Sequence, residues 1–338
     1  MLGVGVMLGT FSVLPAHAQF LRVRGATRRV HGMNMAWMKG AYDHDIGTNP
    51  LHPSWTVPYS GADVSTYFAD IRNMKCNVVR VWLFEGCEGL TFDGSGNVNG
   101  LDGRFLTNLD DLMNRADVNG LAVYLTFLSF DLKNQFGQTL PNGAHIQNFI
   151  NSDPPMNALI ERAIVPIAQR YRGRAAVFGY DLINESNLGA DNGSYTWARM
   201  RGFGNWARKR IKDVDASAQV TMSTQWRDAF TPSNFSSSYG GLGFDFYDYH
   251  DYSDTPDIVY KTGTATDKPL LLGEYGPKTS SRQRAVTDSY VGQARDRGWA
   301  GSLAWAYQDG SFSYVNSPGN WTDAAWALQW WGGQLGTG

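Results

Sequence analysis

The sequence predicts a (β/α)₈ (TIM) barrel forming one domain, and three observations carry this. From Val30 onward, short apolar β-branched runs alternate with longer amphipathic stretches, the rhythm of repeated βα units around a parallel sheet. Eight such pairs can be counted, and no Pro- or Ser-rich linker or longer repeat divides the chain. The 338 residues, 43% of them hydrophobic, are enough to bury a core of that size.

Residues 1–18 stand apart. Leu2 to Leu14 is poor in charge, and Ala16-His17-Ala18 is the small-x-small pattern that a signal peptidase cuts. A signal peptide over 1–18, a single catalytic domain over 19–338 and secretion are therefore expected. The apolar stretch is shorter than the roughly 20 residues a membrane-spanning helix needs.

The first strand candidate begins at Val30 (VHGMNM). It leads to a helix over Val64 to Met74, where Val64, Tyr67, Phe68, Ile71 and Met74 recur at helical spacing. Ser60-Gly61-Ala62-Asp63 is the predicted start of that helix, with Asp63 as its cap. The second candidate, at Asn77 (NVVRVWLF), precedes a helix over Leu106 to Ala116, and the third, at Leu121 (LAVYLTFL), one over Leu159 to Tyr171. The fourth, at Ala176 (AVFGYDLIN), precedes a helix over Thr196 to Val214. The fifth and sixth begin at Gln219 (QVTMST) and Phe244 (FDFYDYH). The seventh, at Pro269 (PLLLGEY), precedes a helix over Ala285 to Arg297, and the eighth begins at Ala300 (AGSLAWAY). The Gly-rich tail after Trp331 reads as disordered. An open doubly wound sheet would want a glycine-rich phosphate turn after the first strand, and Met33-Asn34-Met35-Ala36-Trp37 is not one. The irregular stretches 44–60, 86–103, 131–153 and 187–194 all follow strands, which puts the inserted chain at the C-terminal face, where a barrel builds its site.

Composition narrows the partners. The net charge is −2, from 29 basic and 31 acidic residues without long runs, so nothing draws the protein to nucleic acid or to a membrane surface, and an uncharged partner is expected. Twelve Trp and 16 Tyr supply flat apolar faces suited to sugar rings. Cys76 and Cys87 flank the second strand, whose extended length of ~25 Å is far beyond the ~7 Å that a disulfide spans. No bridge is expected. Asp93-Gly94-Ser95-Gly96-Asn97 reads as a turn rather than a calcium loop, and His44 and His52 lack a matching ligand set, so neither metal nor cofactor is expected.

Two carboxylates carry the chemistry. Glu185 ends the fourth strand in Asp181-Leu182-Ile183-Asn184-Glu185, and Glu274 ends the seventh directly after Leu270-Leu271-Leu272-Gly273. Strands four and seven face each other across a barrel mouth. Cleavage of a glycosidic bond with retention needs such a pair about 5–5.5 Å apart, one protonated and one ionised. Arg80, at an alternate position of the second strand, is a candidate for holding Glu274 ionised.

Taken together, Asn184-Glu185, Glu274-Tyr275-Gly276, Val79-Arg80-Val81-Trp82, His250-x-Tyr252 and Ala304-Trp305 resemble the glycoside hydrolases of clan A, most closely family 5, the cellulase and mannanase family. The resemblance covers nearly the whole mature chain. It implies a retaining β-glycosidase with Glu185 as acid/base and Glu274 as nucleophile. It further implies that Asn184 bonds a sugar hydroxyl, Arg80 lies beside the nucleophile, His250 and Tyr252 line the site, and Trp305 floors it. At the end of the third strand, where the family often has a His, Leu128-Ser129-Phe130 stands instead. Asn34, Trp37, Trp82, Glu85 and Trp226 follow or close strands and are further candidates for sugar contact. The expected activity is endo-hydrolysis of a neutral β-mannan or β-1,4-glucan by a monomer. An exo-glycosidase or transglycosylase on the same scaffold, and a non-catalytic carbohydrate-binding barrel, are the alternatives.

Overall fold

The computed structural model describes residues 20–39, 41–55, 59–253, 266–276 and 284–337. The expected signal peptide lies outside them. Eight parallel strands are β1 (Val30–Asn34), β2 (Val78–Trp82), β3 (Ala122–Leu128), β4 (Val177–Ile183), β5 (Val220–Thr221), β6 (Tyr247–Asp251), β7 (Leu270–Tyr275) and β8 (Gly301–Ala304). Hydrogen bonds order them β6-β7-β8-β1-β2-β3-β4-β5. The ends of that order meet, because Thr224 bridges Tyr249, donating its N–H to Asp248 O at 3.0 Å and accepting from His250 N at 2.9 Å. The sheet is therefore a closed barrel, as the sequence predicts.

Every strand is covered on both faces, which is why each reads as a nearly unbroken apolar run. Val79, Val81 and Leu83 face the helices, while Val78 joins Val30, Ala122, Phe178, Leu271 and Leu303 in a second cluster inside the barrel. An N-terminal hairpin, Leu21–Val23 with Ala26–Arg28, adds Leu21 and Val23 to that inner layer. One step further along the strands the interior turns polar, with Arg80, Asp181 and Asp248 all fully buried. Apolar filling at one end thus sets the charged groups at the other, where the loops open.

Helices α1 (Gly61–Asn73), α2 (Gly103–Val118), α3 (Asp153–Leu159), α4 (Val165–Arg170), α5 (Ser186–Asp191), α6 (Trp197–Val214), α7 (Arg284–Asp296) and α8 (Asp323–Leu335) surround the sheet. Ser60, not Asp63, caps α1, its hydroxyl accepting from Asp63 N, because the residue before the first turn is the one whose oxygen reaches back. The predicted Leu159–Tyr171 helix is the second half of a longer one. It begins at Asp153 and passes through a π turn, Ile160–Ile164, just before Pro166, which has no N–H to offer the preceding turn.

Three expectations need correction. The fifth βα unit has no helix: residues 227–242 make turns, in a stretch rich in Ser and Gly, both weak helix formers, with Pro232 near its middle. The tail after Trp331 is not disordered, since α8 continues through Gly332 and Gly333 to Leu335. Gly332 sits where a Cβ would come within 2.5 Å of Lys75 Cβ, so glycine permits this packing. Gly336 then closes the helix in the left-handed region at φ 67°. Third, the 86–103 loop contains a small hairpin, Leu90–Phe92 with Val98–Leu101. Its Asp93 carboxylate accepts from Ser95 N and Asn97 N, which accounts for that motif as an Asx turn. Cys76 and Cys87 are both buried free thiols.

Candidate active site

The C-terminal ends of the strands open into a cavity of about 450 Å³. Glu185 and Glu274 both line it and are 6% and 3% exposed. Each offers an oxygen that, together with a ring nitrogen of His250, lies in a cluster no wider than 4.8 Å. Asn184, Tyr252, Trp37 and Trp305 also line this cavity, as do Trp82 and Glu85.

Glu185 sits at the turn between β4 and α5 with a left-handed backbone (φ 48°, ψ 48°), which costs a non-glycine residue about 1–2 kcal/mol. The turn is tied down by Ser223 Oγ, which accepts from Glu185 N at 3.0 Å. Ser223 is in turn fixed by Asp181, which accepts from its N–H and from its hydroxyl, both at 2.9 Å. The oxygen that accepts the Ser223 hydroxyl, Asp181 Oδ2, also receives Arg80 Nη2 at 2.7 Å. Asp181 therefore ties both halves of the site together, Arg80 beside Glu274 and Ser223 beneath Glu185.

Arg80 is the buried cation of the barrel. Its Nη1 donates to Glu274 Oε1 at 2.5 Å and to Asn34 Oδ1 at 3.1 Å, and its Nη2 also reaches Asn184 Oδ1 at 2.8 Å. Four directed contacts fix the guanidinium, whose Cζ also lies 4.1 Å from the centroid of the Trp82 ring. Tyr252 Oη donates to the second oxygen of Glu274. Just before the nucleophile candidate, Gly273 leaves room for the Asp248 carboxyl, which a Cβ there would strike at 2.0 Å.

The two carboxyls have different electrostatic surroundings. Burial lifts Glu185 to about 7, against some pull from Arg80. Its hydrogen-bonding neighbours are neutral, His250 Nδ1 at 3.1 Å and Gln225 Nε2 at 3.3 Å. Burial pushes Glu274 up as well, but Arg80 touches it directly and the Tyr252 hydroxyl donates to it. Burial holds His250 down to about 4, so it contributes hydrogen bonds rather than charge and Arg80 is the cation that counts. A single proton shared by the pair belongs on Glu185. Glu185, His250 and Glu274 also have the mutual spacing of a three-ligand cation site. Both oxygens of Glu274 are already engaged by Arg80 and Tyr252, however, and that donor set suits hydrogen bonding better than ligation.

Several sequence-based site assignments change. Asn34 does not reach the cavity: it is fully buried, with Nδ2 donating to Gly273 O at 3.0 Å and Ala304 O at 3.2 Å, so it positions Arg80 rather than sugar. Arg80 contacts Glu274 as expected but, 0% exposed, does not line the cavity. His250 is buried behind the two carboxyls and does not line the cavity. Trp226 packs edge-on against Trp197, with centroids 5.5 Å apart, and its neighbour Gln225 takes the place in the cavity wall. Trp37 and Trp305 do line it, packed edge-to-face at 5.8 Å.

Tyr42, Asp131, Gln225 and Phe312 line the cavity without having been predicted. They come from loops, where no periodicity marks them. Asp181 left one signal, a carboxylate inside an otherwise apolar strand. Glu85 accepts from Trp37 Nε1 at 2.5 Å, and burial lifts it to about 8, with Asp131 adding to the rise. It is therefore a neutral hydrogen-bonding group at neutral pH. Glu85→Gln should keep kcat/KM within about twofold, because the amide oxygen still accepts from Trp37. Glu85→Ala, which strands that indole N–H, should raise KM by about fivefold to tenfold. Steady-state kinetics on the two variants would check this, and equal losses would contradict it.

The cellulase family model (glycosyl hydrolase family 5) matches residues 35–311 of the chain. A mannan endo-1,4-beta-mannosidase of Mytilus edulis is 23% identical over 326 residues, covering 83% of this chain and 84% of that protein. A mannan endo-1,4-beta-mannosidase A of Aspergillus aculeatus is 25% identical over 350 residues, covering 92% and 89%. Among solved structures, the beta-mannanase of the blue mussel Mytilus edulis superposes with a TM-score of 0.68 at 20% identity, over 90% of this chain and 92% of that one.

Proposed function

The chain belongs to glycosyl hydrolase family 5, and from that premise we propose that it is a retaining β-glycanase, cleaving a neutral β-1,4-linked polysaccharide by double displacement. The observation that carries the reading is the buried carboxyl pair, Glu185 lifted to about 7 and Glu274 held by Arg80 and Tyr252, with oxygens within 4.8 Å. That spacing is the short one of a retaining pair, about 5–5.5 Å, rather than the roughly 6.5–9.5 Å of an inverting pair.

In the first step a Glu274 oxygen attacks the anomeric carbon while Glu185 gives its proton to the departing glycosidic oxygen. The C–O bond to the aglycone breaks, and a glycosyl ester forms on Glu274. In the second step Glu185, now ionised, takes a proton from water as the water oxygen displaces Glu274, returning the β configuration. Asn184, whose carbonyl oxygen is turned to Arg80, has its Nδ2 available for the hydroxyl beside the reacting carbon.

Mannan is the substrate the reading favours, since both curated relatives described above are mannan endo-1,4-beta-mannosidases. The export pattern in residues 1–18 agrees with a polymer met outside the cell, and we place the enzyme there.

The test is incubation with mannan, glucomannan, cellulose, mixed-linkage glucan, xylan and β-1,3-glucan, followed by chromatography and anomeric NMR. Release of oligosaccharides from mannan, with the β anomer first, is expected. Monosaccharide as sole product would replace endo with exo action, and the α anomer first would refute retention. Because Glu185 must be protonated to act first as an acid, kcat/KM should fall roughly tenfold per pH unit above its value of about 7, and it should fall again on the acid side, where Glu274, itself pushed up by burial, takes up a proton and can no longer attack. A pH profile on the same substrate checks this, and a flat profile to pH 9 would contradict it.

A further inference from the structure

The outer face of α8 carries two tryptophans that the core does not use. Trp326 is 50% exposed and Trp330 46%, while Ala324, Ala325, Leu328 and Trp331 on the same helix are buried. Four residues apart, the two lie on one side of the helix, a turn from each other. Trp321, just before α8, packs against Trp326 with ring centroids 4.8 Å apart.

This surface lies one hairpin away from a cavity that borders the catalytic cleft. Trp321 is the cross-strand partner of Val315 in the hairpin Val315–Ser317 with Asn320–Trp321. Val315 and Asn316 line a second cavity, of about 540 Å³, whose wall includes Trp37 and Tyr67. Trp37 also lines the catalytic cavity. One hairpin therefore separates the cavity that shares Trp37 with the cleft from Trp321, and Trp326 lies against Trp321.

Resting on the reading of a neutral polysaccharide substrate, we propose that Trp321, Trp326 and Trp330 form a surface site on which another stretch of the same neutral β-glycan stacks. The C–H face of a pyranose is apolar and suits the flat face of an indole; the Trp321 N–H is buried, so that ring offers its face alone. The sequence of α8, DAAWALQWWGGQL, carries a single charge, on Asp323, and the one cation beside the patch, Arg284 over the Trp330 ring at 5.9 Å, is paired with Asp288, so the surface holds little net charge for an anionic polymer or lipid. Its place beside the cavity that shares Trp37 with the cleft favours the substrate chain over a second copy of the protein.

The experiment uses the full chain and the Trp326→Ala/Trp330→Ala variant, run on native gels containing soluble glucomannan. Hydrolysis of the polymer and of an aryl disaccharide is measured alongside. The variant should bind the polymer about fivefold to tenfold more weakly and lose polymer kcat/KM by the same factor, with the aryl disaccharide unaffected. Trp326→Tyr/Trp330→Tyr should recover most of the loss, which separates stacking from damage to the fold. Unchanged gel retardation, or an equal loss on both substrates, overturns the proposal. So does a wild-type dimer that the Ala variant dissociates without a change in retardation. Retardation needs no turnover, so it reads this surface even if the proposed hydrolysis fails.

Discussion

Glu274→Ala is expected to lower kcat by on the order of 10⁴-fold or more while the barrel still folds. The loss is large because the glycosyl ester cannot form and no neighbouring group can replace it. Glu185 lies on the opposite strand and is needed as the acid, and Asp181 has its oxygens engaged by Arg80 and Ser223. Folding survives for the same reason: breaking a buried ion pair commonly costs about 3–5 kcal/mol, but Arg80 keeps Asp181, Asn34 and Asn184 as partners. Thermal unfolding and kinetics on one preparation check both halves. A residual rate near wild type would refute the nucleophile assignment.

Glu185→Ala should slow polysaccharide cleavage by on the order of 10³-fold, the usual worth of a positioned general acid. An aryl glycoside with a good leaving group needs no proton, so its first step should persist and the glycosyl-enzyme accumulate. Added azide, entering where the carboxylate stood, should then restore turnover and give the β-glycosyl azide. Product NMR decides: an α-azide would exchange the roles of the two glutamates, and no rescue would remove Glu185 from the acid/base role.

The barrel was legible because parallel strands covered on both faces must be apolar on both. Runs such as Val78–Trp82 and Leu270–Tyr275 therefore announce themselves and end where the site begins. The two glutamates were legible as charges standing directly after such runs. What stayed hidden depends on contacts distant in sequence. Asn34 looked like a rim residue until its amide was found spent on Gly273, Ala304 and Arg80, from three different strands. The role of Asp181 is visible only once β2 and β5 bring Arg80 and Ser223 to it. Local chemistry misled in the tail, where Gly332 and Gly333 suggested disorder but serve close packing against Lys75. Trp226 and Gln225 show the same limit, since nothing in a loop sequence says which of two neighbours faces the cavity.

The most direct test of the central claim is to trap the intermediate with a 2-deoxy-2-fluoro β-glycoside carrying a good leaving group and to map the labelled peptide by mass spectrometry. One sugar per chain, esterified to Glu274, with inactivation slowed in Glu274→Ala, is the predicted result. A label on Glu185 or any other residue, or full inactivation without a covalent adduct, would contradict it.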